Sequence, residues 1–194
     1  MNSVIEDIVV DIPALLSIAH TCDPSVCTSS GSCCGSFEIC LEADEMDRVV
    51  GFMPMASEYS AGLMSGGSCS NVFEELEPDL YAIDEGEFGV CVFGYHGVKD
   101  EVLCSLHSVA MQMNYKPEET KPRGCVLWPL AVSEGKPLSL SVDSEAFLFP
   151  CNKQREGASK LDPGIADIIK KLFGKAFLDK INKYAAGQAV CLKK

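Results

Sequence analysis

The sequence predicts an α+β protein: a small, loop-rich domain of short strands and helices organised around a cysteine metal site, plus a C-terminal amphipathic helix. Three observations point there. The 194 residues include eleven cysteines, and five of these (Cys22, Cys27, Cys33, Cys34 and Cys40) fall within one nineteen-residue stretch. Before residue 160 the apolar pattern changes repeatedly between strand and helix spacing over short segments. Beyond it, a single helical stripe runs through most of the remaining chain. The expected division is therefore 1–160 for the cysteine-rich domain and 161–194 for the helix.

Each element follows from local chemistry. The first twenty residues, MNSVIEDIVVDIPALLSIAH, carry acidic residues where a secretory signal needs basic ones, and no apolar run reaches a membrane span. A soluble cytoplasmic protein is expected. FEICL, residues 37–41, alternates Phe37, Ile39 and Leu41 against Glu38 and Cys40, as a half-buried strand does. It runs into EADEMDRVVGF, where Met46, Val49 and Val50 have helical spacing, acidic residues occupy the first turn and Gly51 offers a stop. The Gly-, Ser- and Met-rich stretch through Cys69 reads as a loop or an irregular helix, and Glu74 to Asp79 as a solvated acidic turn. Leu80–Ile83 is expected to pair with 89–93 in a hairpin that carries Cys91. VLCSLHSVAMQMN reads as a helix with Leu106, Val109, Ala110 and Met113 on its apolar side and Cys104 and His107 three residues apart on one face. Two prolines end it in KPEETKPRG. Two more strands are expected around Gly135, and then Cys151. From Asp162, an N-cap followed by Pro163, the stripe Ile165, Ile168, Ile169, Leu172, Phe173, Ala176, Phe177, Ile181 and Tyr184 defines the last helix. Its basic outer face makes a protein partner possible.

Charge narrows the function. A net charge of −12 argues against nucleic acid, because phosphate backbones are bound through clustered Lys and Arg. The asymmetry is internal: residues from Leu161 onward carry +4 and the rest −16. Eleven thiols in a chain expected to be cytoplasmic point away from a disulfide framework and toward metal or redox chemistry. Thiolate is a strong ligand for zinc and for iron–sulfur clusters, four to a site. Cys22, Cys27, Cys33, Cys34, Cys91, Cys104, Cys125 and Cys151 suffice for two such sites, or for one with spares. No Cys-x-x-Cys pair occurs, which excludes a zinc ribbon and the bacterial ferredoxin run. Adjacent side chains diverge in extended backbone, so Cys33 and Cys34 can serve one centre only in a tight turn, for which Gly31 and Gly35 are suited. A vicinal disulfide is the alternative. Cys69 and Cys191 read as isolated small hydrophobes. His107 is open between ligand, partner to a thiolate and core residue, and His20 and His96 have ordinary roles.

In order along the chain, Cys27, Gly31, Cys33-Cys34, the FEICL strand, a helix with Glu45 and Arg48, CVF at Cys91, CSLH at Cys104 and KPRGCVLWPL at Cys125 resemble the YkgJ-like cysteine-cluster family, described as a zinc- or iron-chelating domain. The resemblance covers Cys22 to Pro129, and it implies ligand roles for Cys27, Cys33, Cys34, Cys91, Cys104 and Cys125. Where many members have a further cysteine this chain has Ser30, and Cys22 can replace it from the other side. The resemblance extends to flagellin lysine N-methylases, which makes a metalloenzyme the rival reading. No glycine-rich nucleotide loop supports methyl transfer. A third reading is an interaction module acting through the C-terminal helix. The leading expectation is a metal-binding protein in which zinc or an iron–sulfur cluster ties distant segments together, its role structural, redox or metal handling.

Overall fold

The protein is α+β, with helices and several small sheets. The computed structural model describes residues 3–28, 31–86, 89–133 and 135–191, with 187–191 as backbone only. Two compact units are present, one formed by 1–22 with 127–194 and the other by 23–126. The borders thus differ from the division at residue 160, and the C-terminal helix shares a unit with the first twenty-two residues.

The chain starts with a hairpin, β1 (Ser3–Ile5) and β2 (Ile8–Val10), whose turn residues Glu6 and Asp7 have φ of 50° and 66°. Helix α1 (Ile12–Leu16) follows, capped by the Asp11 carboxylate, which accepts from Ala14 N at 3.1 Å. After β3 (Ile18–His20) comes the second unit. It holds β4 (Cys40–Glu42), α2 (Ala43–Ala56), a small hairpin of β5 (Met64–Ser65) and β6 (Ser68–Cys69), then β7 (Phe73–Glu77), β8 (Leu80–Ile83), β9 (Gly94–His96) and β10 (Val102–Cys104). Three helices follow: α3 (Ser105–Met113), α4 (Pro117–Thr120) and α5 (Arg123–Leu127). The first unit resumes with β11 (Leu130–Ser133), β12 (Ser139–Val142), β13 (Asn152–Gln154) and α6 (Pro163–Cys191).

In the first unit the sheet order is β1-β2-β12-β11, antiparallel except for the parallel β2–β12 pair, with β3 and β13 pairing separately. Ile5, Val10, Ile12, Leu15, Ile18, Leu140, Ile165, Ile169, Phe177 and Ile181 form its core. In the second unit β4, β8 and β7 form a sheet, and Leu41, Val49, Met53, Leu63, Phe93, Leu106 and Val109 are buried together.

Several expectations change. Helix α2 runs past Gly51 and through Pro54, because Met53 and Ala56 at its end are buried in the core and packing outweighs the two helix breakers. The acidic segment 74–77 is an exposed strand, not a turn: β8 pairs with β7 and β4, with Phe73 opposite Ile83. Segment 89–93 is a tight loop with one bridge, Glu85 to Cys91, in place of the expected strand. Cys104 ends β10 in extended backbone and is the N-cap of α3, so it does not share a helical face with His107. Met113 is exposed, while Leu106, Val109 and Ala110 are buried as the stripe requires.

The last helix has its expected cap, with Asp162 Oδ1 accepting from Gly164 N at 2.9 Å. It is broken at Gly174, which has φ of 84° and non-helical ψ. The break shifts the apolar face: Ala176 and Tyr184 are exposed, and Phe177, Ile181 and Ala185 are buried at four-residue spacing. Because this face is occupied by the first unit's own core, α6 does not offer it to a partner. Among the described residues no helix is long and apolar enough to cross a membrane.

Phe177→Ala is expected to cost about 3–5 kcal/mol and Tyr184→Ala less than about 0.5 kcal/mol in urea unfolding. Equal losses would mean that the stripe is continuous through Gly174.

Candidate metal centre

In the second unit five cysteines from four separated segments lie near enough to influence one another's ionisation. Cys33 and Cys34 sit in a single 3-10 turn, Cys33–Gly35, as adjacent ligands require. Gly35 closes that turn, as expected of a flanking glycine. At Gly31 the constraint is space: a Cβ there would lie 2.9 Å from Thr28 Oγ1. Backbone bonds then join the segments. Cys91 N donates to Cys34 O at 2.7 Å, Gly94 N donates to Cys91 O at 2.6 Å, and Ser105 N donates to Phe93 O at 2.8 Å. Cys104 faces Gly94 across the β9–β10 pair. Gly94 tolerates no side chain, because a Cβ would stand 2.5 Å from Val90 Cγ1 and 2.9 Å from Cys91 O.

Cys125 arrives on α5, and the segment leading to it is held by the two helix residues of the family pattern. Arg48 Nη1 donates to the carbonyls of Glu119 and Lys121, both at 3.1 Å, and Glu45 Oε1 accepts from Arg48 Nη2 at 3.2 Å and from Arg123 N at 2.7 Å. One ion pair on α2 thus fixes both sides of Lys121.

Lys121 is the residue that the sequence reading missed. Its sole sequence signal is its place four residues ahead of Cys125. Burial alone would push its ammonium toward neutrality, but Cys104, Cys125, Cys33 and Cys34 act in the other direction and raise its pKa above the ordinary lysine value. No carboxylate pairs with it among the described residues. The thiols respond in kind. Cys34 donates to Cys33 Sγ, and this bond, aided by Lys121 against the effect of burial, lowers the Cys33 pKa to about 6. The same bond and burial push Cys34 well up. Burial raises Cys91 to about 12, with Cys104 and Cys33 adding to it, and raises Cys125 strongly against the pull of Lys121.

All five are free thiols, partly open to solvent. Cys34 and Cys91 also line a cavity of about 200 Å³ whose wall carries Glu38, Glu74, Asp84 and Glu85. Among the described residues no group of three or more His, Cys, Asp or Glu side chains is set out to hold a metal ion. The thiols therefore sense one another's charge without forming a closed ligand cage.

Cys27 is in the same unit, with its sulfur 3.8 Å from Asp23 O and its carbonyl accepting from Val102 N at 3.1 Å, two residues before Cys104. Cys22 and Cys151 belong to the first unit, where Thr21 N donates to Cys151 O at 3.0 Å. Cys40 and Cys69 are exposed on β4 and β6, and Ser30 and the Cys191 side chain lie outside the described residues. His20 is a buried core residue with Nδ1 2.7 Å from Asn152 Oδ1, His96 pairs with Asp100 at 2.9 Å, and His107 is half-buried on α3. No family model, curated protein or solved structure matches the chain.

Arg48→Met is expected to lower stability by about 1–3 kcal/mol, because two carbonyls lose a charged donor and Glu45 loses its partner; an unchanged urea midpoint would show that this clamp is ornamental. In metal-free protein, Cys33 should be the thiol alkylated fastest by iodoacetamide at pH 7, with a rate half-maximal near pH 6. Since its folded pKa lies below its ordinary 9.0, the stability it contributes is present above that value and fades as pH falls through about 6. Labelling of Cys91 ahead of Cys33 would contradict this ordering.

Proposed function

We propose that this is a metal-binding protein whose thiols Cys33, Cys34, Cys91, Cys104 and Cys125 hold zinc or an iron–sulfur cluster; they are five of the six positions to which the resemblance to the YkgJ-like family assigns ligand roles, the sixth being Cys27. The observation that carries the reading is Lys121, a cation set among thiols with no carboxylate partner among the described residues. Neutral thiols do little to offset the desolvation of an ammonium, whereas a centre ligated by four thiolates carries net negative charge and does so well. By chemistry the donors suit either group: five thiols outside any disulfide are available where either group needs four. Bound there, zinc supplies a fixed cross-link among distant segments, and an iron–sulfur cluster supplies a one-electron couple. The chain's own part is to present the ligands from four tethered segments, to balance their charge with Lys121 and to leave the Cys34–Cys91 side open to the cavity. Free thiols suit a reducing, cytoplasmic setting.

The hydrogen bond between Cys34 and Cys33 favours a second reading, a metal-free dithiol that exchanges with an external disulfide.

Metal and acid-labile sulfide analysis of protein purified without oxygen separates the two. Iron with sulfide, or zinc near one per chain, supports the centre; metal-free folded protein supports the dithiol. Cys33→Ser and Cys104→Ser are each expected to lose metal and Cys69→Ser to keep it, and chelation should lower the melting temperature of the wild type. Retention in all three variants would remove these residues from the centre.

A further inference from the structure

The hairpin of β5 and β6 carries Cys69, which the sequence presents as an isolated small hydrophobe. The structure places it otherwise. Cys69 is exposed, although free cysteine is among the residue types most often buried. Its sulfur also has a neighbour: Cys69 Sγ donates to Met64 Sδ at 4.0 Å, and Met64 is itself 41% exposed. Burial of apolar surface therefore explains little of why two sulfurs meet there.

The local backbone makes the meeting a fixed one. Gly66 and Gly67 have φ of 61° and 87°, the pair of positive values that a two-residue type I′ turn requires. That turn sets the register, with Ser65 opposite Ser68 and Met64 opposite Cys69. One position further on, Ser70 N donates to Leu63 O at 3.0 Å. Met64 and Cys69 thus form the pair between two hydrogen-bonded ones, in which the side chains of an antiparallel ladder approach most closely on one face. Leu63 is completely buried in the core of the second unit and anchors the root of the hairpin.

We infer that Cys69 and Met64 form a surface site for a soft monovalent cation, Cu(I), held between a thiolate and a thioether. On binding, the Cys69 S–H bond breaks, its proton leaves to solvent, and the ion takes the place that the hydrogen holds between the two sulfurs. No electron is transferred, and thiolate with Cu(I) is neutral as the thiol was. Thiolate and thioether are the soft donors that select Cu(I). Zinc is disfavoured here, because it takes four donors from Cys, His, Asp and Glu, and among the described residues no group of three or more of these is set out to hold a metal ion. The unbranched Met64 side chain has the rotatable bonds needed to adjust the separation of the sulfurs around the ion. Exposure lets the ion be received and given up at the surface. The site shares no residue with the proposed thiol centre and stands or falls without it.

The test reads Cys69 alone among the eleven cysteines. Reduced full-length protein is equilibrated without oxygen at free Cu(I) concentrations set by the competing chelator bathocuproine disulfonate, then pulsed with iodoacetamide, and alkylation of Cys69 is followed by peptide mass spectrometry. Wild type is compared with Met64→Leu, which keeps an apolar side chain of similar volume and removes the second sulfur. Cys69 is expected to be protected in the wild type at free Cu(I) at least about 10-fold lower than in the variant, since the loss of even a group that only supports a ligand has an effect of that size. Equal protection in the two proteins overturns the site, because Cys69 then binds Cu(I) without Met64, and absence of protection in the wild type overturns it outright. The ¹³C-methyl resonance of Met64 gives a second reading: it should move on addition of Cu(I) to the wild type and stay in place in Cys69→Ser. A shift in both proteins, or in neither, contradicts the pairing.

Discussion

A cation held among thiols demands that some of those thiols be anionic, and much of the second unit is consistent with meeting that demand. Lys121 is half-buried, which disfavours its charged form, while the neighbouring Cys104, Cys125, Cys33 and Cys34 favour it. Burial works against ionisation at Cys91 and Cys125, so without a metal the negative charge collects at Cys33, stabilised by the Cys34 thiol. A metal changes this balance. In the proposed centre it would displace protons and make several thiolates at once, which is the state that a neighbouring ammonium favours.

Convergence of these groups depends on backbone hydrogen bonds more than on side-chain packing. The turn at Cys33–Gly35 is tied to the loop at Cys91 through Cys34 O, that loop to α3 through Phe93 O, and the Cys27 segment to β10 through Val102 N. The Glu45–Arg48 pair closes the remaining gap by gripping the backbone on both sides of Lys121. Such bonds fix where Cys33, Cys34, Cys91 and Cys104 leave the main chain, and none of these cysteines is in a disulfide. The hydrophobic residues behind them, Leu41, Val49, Phe93, Leu106 and Val109, give the unit a core of its own. The proposed centre would thereby form on a framework that the chain has already assembled.

The sequence by itself determined the α+β class, the apolar faces of α3 and of the first half of α6, the cap at Asp162, the helix stop before KPEET and the tight turn at Cys33-Cys34. These depend on residues within a few positions of one another, where side-chain spacing and capping act directly. Tertiary structure alone decided the rest. It chose β7 over segment 89–93 as the partner of β8, carried α2 through Gly51 and Pro54, and shifted the face of α6 after Gly174. It also grouped Cys33, Cys34, Cys91, Cys104 and Cys125 around Lys121. The physical reason is range: strand pairing, burial and the charge of a lysine act between residues far apart in the chain, and spacing along the sequence carries no measure of those distances.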